Sequence, residues 1–123
     1  MLSSRTNTHL MSLVRQLSGC RSVNNSTTLI TMYVPGSTRH SDVTKMITAE
    51  ISKAPNIKSR QTRQGIQDAL QSVSSQLKRF GTFPANGVVI LAGTTTEGQQ
   101  SLTIEPPRPI DRFFYRCDTL FYL

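Results

Sequence analysis

Five consecutive apolar residues, Val88-Val89-Ile90-Leu91-Ala92, stand between the turn sequence Pro84-Ala85-Asn86-Gly87 and Gly93. The run is far too short to span a bilayer; its length, branched side chains and turn-forming flanks mark a buried strand closed by Gly93. A second run, Thr28–Val34, lies between Asn/Ser-rich residues and Pro35-Gly36 and reads as another strand. Two such strands need helices to cover them. With 123 residues, 37% hydrophobic and 17% charged, the chain is long enough to bury a core without disulfide or metal staples.

Helical periodicity supplies the covering layers. Leu10, Leu13, Val14 and Leu17 follow the i, i+3, i+4, i+7 stripe of a core-facing helix. Ser41 is placed to cap a second helix, with Asp42 near its positive end and Val43, Met46, Ile47 and Ile51 on one apolar face. That helix should stop near Ala54, because a residue preceding proline is pushed out of the helical region. Asn56-Ile57-Lys58 then falls in a short interhelical turn, and Ser59 caps a long helix to about Phe80 with the stripe Ile66, Leu70, Val73, Leu77, Phe80.

After the Val88–Ala92 strand, Leu102–Glu105 alternates as a strand and the intervening Thr/Glu/Gly/Gln segment reads as a hairpin loop. Pro106-Pro107-Arg108-Pro109 is an extended linker, and Phe113–Phe121 is a last, aromatic-rich strand. The order helix, strand, helix, helix, strand, strand, strand predicts an α+β fold, an α/β sandwich with a mixed, largely antiparallel sheet of about four strands covered by helices. Neither an internal repeat nor a boundary is visible, so residues 1–123 are expected to form one domain, with disorder over residues 1–8.

Fourteen Lys/Arg against seven Asp/Glu give a net charge of +7, which suits a polyanionic partner. Between Glu50 and Asp68 stand Lys53, Lys58, Arg60 and Arg63 with no acid, a local basic patch. The first 41 residues also lack acids and carry Arg5, Arg15, Arg21 and Arg39, a composition loosely like a mitochondrial transit peptide; the apolar stripe favours a structural helix instead. Cys20 and Cys117 are too few for a disulfide scaffold and read as free thiols, with their pairing left open. His9 and His40 lie near Ser-rich segments and read as solvated surface residues, and no Ser/His/acid set, paired carboxylates, metal-ligand cluster or Gly-rich phosphate loop is evident.

The Asn56-Ile57-Lys58-Ser59 turn offers an amide edge, a long cationic donor and a hydroxyl at an exposed apex. Asn can pair with a base edge, and Lys can donate to a base carbonyl or a phosphate. The bland reading is a polar interhelical loop. Here the chain resembles a known family, the class-1 release factors of eukaryotes and archaea, whose N-terminal domain carries an Asn-Ile-Lys-Ser loop at a helix–helix tip. The likeness continues through Arg60-Gln61-Thr62-Arg63, Pro84-x-Asn86-Gly87-Val88-Val89, Ala92-Gly93, and Tyr115-x-Cys117-Asp118 with Phe121. Two segments depart from the family: Lys53-Ala54-Pro55 replaces Thr-Ala-Ser, and Ser26-Thr27-Thr28 replaces Gly-Thr-Ser, keeping hydroxyls at Thr27 and Thr28.

The resemblance implies stop-codon recognition in the ribosomal A site. It implies that Lys58 approaches the first uridine, and that Glu50, Tyr115, Cys117 and Phe121, from the Tyr-x-Cys-x-x-x-Phe motif, line a pocket for the following purines. Asn56, Ile57, Ser59, Thr27 and Thr28 complete the recognition set, and Lys53, Arg60 and Arg63 contact RNA backbone. On periodicity alone, Tyr115, Cys117 and Phe121 could instead share one buried strand face. Implied partners are the small ribosomal subunit, the mRNA stop codon and rRNA, in the cytoplasm, with a translational GTPase docking through C-terminal domains absent from this chain. No cofactor, metal or membrane is implied, and a monomer is expected. Peptidyl-tRNA hydrolysis requires a Gly-Gly-Gln domain, and Glu97-Gly98-Gln99-Gln100 in the hairpin is not that tip. The competing functions are a general ribosome- or RNA-binding protein of surveillance type, which fills the A site without reading stops, and an esterase acting on peptidyl-tRNA.

Overall fold

The structure, a computed structural model, describes residues 4–123, with side chains from Leu10 onward. Its elements are α1 (Ser4–Ser18), a 3-10 turn at Val23–Asn25, β1 (Leu29–Val34), α2 (His40–Lys53), a 3-10 turn at Ala54–Asn56, α3 (Arg60–Leu77), β2 (Val88–Thr95), β3 (Gly98–Ile104) and β4 (Phe114–Asp118). The four strands form one sheet in the order β3-β2-β1-β4, and every pairing is antiparallel. The α+β expectation therefore holds. Of the segment expected to be disordered, residues 1–3 lie outside the described residues, and helix α1 begins at Ser4.

Strand alternation sorts the core into two clusters. Ile30, Met32 and Val34 of β1 and Val88, Ile90 and Ala92 of β2 face α2 and α3, packing on Val43, Ile47, Ile66, Leu70, Val73 and Leu77. Leu29, Val89 and Leu91 face the other way, against Leu13 and Leu17 of α1, Cys20 and Phe121. Cys20 and Cys117 are both free, and they belong to opposite faces of the sheet.

Local departures from the sequence reading have physical causes. Helix α2 starts one residue before Ser41, with Arg39 at the cap position and no side-chain cap bond, so Ser41 is a helical residue. Its inward face runs Val43, Ile47, Glu50, Ala54, the full helical period; Ile51 lies one step round and is 37% exposed. Helix α3 ends at Leu77, and Phe80 follows in a turn, its ring tilted against that of Phe83. His40 is half-buried and not solvated: its Nε2 bonds the Leu77 carbonyl at 2.7 Å and its ring lies beside Phe83. The side chain of His9 lies outside the described residues.

β2 does not close at Gly93. It continues to Thr95 because β3 pairs with it as far as Gly98, leaving Thr96-Glu97 as a two-residue turn. Thr95 fixes that turn by donating its hydroxyl to the Gly98 carbonyl at 2.9 Å and accepting the Glu97 N–H at 3.1 Å. Glu97-Gly98-Gln99-Gln100 thus lies in the hairpin, as expected. β4 is shorter than Phe113–Phe121: pairing with β1 stops at Asp118, and the chain then bends so that Phe121 is buried in the α1-side cluster.

Candidate nucleic-acid interface

The α2–α3 connection is built by three local devices. Pro55 sits in the 3-10 turn and the Ile57 N–H donates to the Ala54 carbonyl at 3.1 Å, closing the tip. Ile57 and Ser59 are extended, so side chains alternate: Ile57 packs down onto the core cluster while Asn56 and Lys58 stand exposed on either side. Ser59 caps α3, its hydroxyl accepting the Thr62 N–H at 3.3 Å. Arg63, for which the resemblance implied contact with RNA backbone, is half-buried and turns back to donate Nη1 to the Ile57 carbonyl at 3.0 Å. It braces the loop from behind, and Arg60 remains on the exposed rim.

Below the loop lies a cleft of about 340 Å³, lined by Thr27, Glu50, Lys53, Ala54, Ile57, Thr62, Ile66, Tyr115 and Cys117. Six residues singled out from sequence meet here from four segments: Thr27 before β1, Glu50 and Lys53 on α2, Ile57 in the loop, and Tyr115 and Cys117 on β4. Asn56, Lys58 and Ser59, exposed in the adjoining loop, do not line it, and Thr28 is buried. Phe121 is not in the cleft; it lies on the far side of the sheet, so the three motif residues do not share one strand face. The sequence reading missed Thr62 as a lining residue and counted Ile66 only as core. Extending the α3 stripe one turn toward its N-terminus, from Leu70 and Ile66 to Thr62, would have found the former.

The cleft's chemistry is that of neutral donors beside one carboxylate. Burial pushes the Tyr115 hydroxyl far above its ordinary 10.0, helped by its hydrogen-bond contact with the Cys117 sulfur at 3.4 Å and by the Glu50 carboxylate. Burial also raises Cys117 above its ordinary 9.0, with the Tyr115 hydrogen bond pulling the other way and Glu50 adding to the rise. Both groups therefore hold their protons at neutral pH and present O–H and S–H, with Cys117 a poor nucleophile. Glu50 adds acceptor oxygens and is bridged by Lys53 at 3.4 Å, a solvent-screened pair of small energetic weight.

These shifts set an alkaline limit. Cys20 is likewise raised above 9.0 and Tyr33 above 10.0, both chiefly by burial. The unfolded chain loses these protons first, so stability is intact below the unfolded thiol value and falls as pH rises through it. The thermal midpoint should decline steadily above about pH 9; a midpoint flat to about pH 10.5 would refute this origin.

Comparison with known proteins shows the family. The family model described as eRF1 domain 1 matches residues 7–123. The chain is similar to peptide chain release factor subunit 1 of Methanopyrus kandleri, 48% identical over 101 residues, which covers 79% of this chain and 25% of that protein. It is also similar to the same factor of Methanocaldococcus jannaschii, 42% identical over 103 residues, covering 79% and 24%. A solved archaeal translation termination factor, aRF1, superposes with a TM-score of 0.86 at 30% identity over 98% of this chain and 33% of that one. The chain spans about a quarter of the length of these curated relatives.

Proposed function

This chain belongs to the family described as eRF1 domain 1, the N-terminal part of peptide chain release factor subunit 1, and from that premise we propose that it reads stop codons in the ribosomal A site. The family match covers the first domain alone, and the 123 residues contain no Gly-Gly-Gln triplet. The chain is a recognition domain, not a hydrolase. Acting as one unit, it would meet mRNA and rRNA on the small subunit in the cytoplasm, with GTPase docking left to other domains. Among the described residues no helix is long and apolar enough to cross a membrane.

The observation that carries this reading is the cleft joining Thr27, Glu50, Ile57, Tyr115 and Cys117 beneath an exposed Lys58. Glu50 can accept from the exocyclic amino group of a purine, Tyr115 supplies a hydroxyl and a ring edge, and Lys58 can donate to a uracil carbonyl. No cation other than Lys53 lines the cleft, so its floor suits base edges, while Arg60 at the rim suits phosphate.

The test is binding of the labelled chain to ribosomal complexes holding a stop or a sense codon in the A site. A preference for stop codons should appear, and Lys58→Ala should cut it by roughly tenfold. Equal binding to both codon classes would sink the decoding claim. A small loss in Lys58→Ala that is uniform across codons would point to backbone contact alone.

A further inference from the structure

On the reading proposed above, Lys58 must reach a uracil carbonyl, yet its own backbone is barely held. Its neighbours Ile57 and Ser59 are extended, with ψ of 126° and 121°, and among the described residues no backbone hydrogen bond engages the N–H or the carbonyl of Lys58 itself. A long cationic side chain on an unheld peptide would sweep a wide volume, and that freedom would be lost on binding.

Arg63 closes this gap from the first turn of α3. Its Nη1 donates to the Ile57 carbonyl at 3.0 Å, and its backbone N–H donates to the Ser59 carbonyl at 2.8 Å. One residue thus grips the chain on both sides of Lys58. The Ile57 carbonyl and the Lys58 N–H belong to one planar peptide, so holding the first fixes the plane from which the Lys58 Cα projects. Ile57 also lines the cleft, so the same bond sets Lys58 relative to the cleft wall.

The two contacts differ in what they need. The backbone bond to Ser59 would survive almost any substitution, whereas the bond to Ile57 needs a long side chain that ends in a donor. Arg63 is half-buried, and among the described residues no carboxylate pairs with it. Its charge therefore strengthens the bond to the carbonyl. Arg60, by contrast, is exposed, as a phosphate contact requires.

We propose that Arg63 is a positioning residue for codon reading: it clamps the peptide joining Ile57 to Lys58, aims Lys58 at the base, and does so without touching RNA. The proposal rests on the reading of the loop and cleft as the codon site. It gives the two arginines different work. Arg60 draws in the RNA backbone whatever the codon, and Arg63 makes the loop selective.

Three variants of the full chain test this. Arg63→Met keeps the aliphatic stem and removes charge and donors, Arg63→Lys keeps a charged donor of similar reach, and Arg60→Ala removes the exposed cation. In the ¹⁵N-labelled chain, the order parameter of the Lys58 amide should fall from the rigid range, about 0.85, to below about 0.6 in Arg63→Met, and recover in part in Arg63→Lys. An unchanged Lys58 amide in Arg63→Met would overturn the proposal. So would a fall spread over the whole domain, which would mean that Arg63 serves folding alone.

The second arm measures binding to ribosomal stop and sense complexes across a range of salt. Arg63→Met should lose about tenfold in stop-over-sense preference, with Arg63→Lys again recovering part, while the slope of log affinity against log salt changes by less than about half a unit. Arg60→Ala should reduce that slope by about one and weaken stop and sense binding alike. A slope reduced by about one in Arg63→Met, with the preference intact, would overturn the proposal and make Arg63 a phosphate contact. Equal binding of the wild type to stop and sense codons would overturn the codon reading, and this proposal with it; that result needs no variant, so the two failures are told apart.

Discussion

Gly87→Ala is expected to lower the stability of this domain by on the order of 3–5 kcal/mol, enough to remove much of its folded population. Gly87 has φ of 84°, in the region that side chains disfavour, and a Cβ there would lie 2.1 Å from the Val34 carbonyl oxygen and 3.1 Å from the Gly36 nitrogen. Those are backbone atoms at the end of β1, where Val34 pairs with Val88, so no rotamer change relieves the clash. The same turn is tied elsewhere: the Gly87 N–H donates to the Pro84 carbonyl, the Asn86 carbonyl accepts the Ile110 N–H, and the Asn86 amide donates to Pro106. Moving Gly87 aside would pull on all of them. Chemical denaturation followed by circular dichroism measures the effect, with Gly81→Ala as control, since a Cβ at Gly81 meets nothing within 4 Å. Similar midpoints for the two variants would disprove the strain argument.

Glu50→Ala should act on function with little effect on folding. The carboxylate is part-exposed, and its bond to Lys53 is a weak surface pair, so stability should change by less than about 1 kcal/mol. In the cleft it is the only carboxylate, and a purine amino group would lose its charged acceptor. Binding to stop-codon complexes should fall by roughly tenfold or more, while binding to sense complexes stays level. Glu50→Gln, which keeps a carbonyl acceptor, should recover part of the loss. A uniform drop across codons would mean that Glu50 shapes the cleft without reading a base.

Much of this arrangement is written in local chemistry. The two apolar strand runs, the Ser59 cap and the α3 stripe from Ile66 to Leu77 each rest on a short-range rule, and each is realised, though α3 ends before Phe80 and β2 runs on past Gly93. Other features depend on partners distant in the chain. Nothing near Gly93 says that β3 pairs along the whole of β2, and the two-residue Thr96-Glu97 turn follows from that pairing. Ile51 looks as apolar as Ile47, yet the inward face of α2 passes through Glu50 and Ala54, because helix phase and not hydrophobicity decides which residue overhangs β4. The gathering of Thr27, Glu50, Ile57, Tyr115 and Cys117 was implied by family likeness and not by periodicity; the sheet order that puts β4 beside β1 is what brings them together.

The bend after Asp118 gives Phe121 a mechanical meaning. β4 is an edge strand held on one side only, by β1, yet it carries two residues of the cleft floor. Past the bend, Phe121 is sunk to 2% exposure among Leu17, Cys20, Leu29 and Leu91, while the Tyr122 N–H donates to Thr31 Oγ1 at 2.9 Å and Tyr33 donates its hydroxyl to the Tyr122 carbonyl at 2.7 Å. The tail is a rivet driven through to the back of the sheet. The spacing Tyr-x-Cys-x-x-x-Phe then describes two cleft-lining residues and their mounting, with the third residue anchoring the strand that carries the first two.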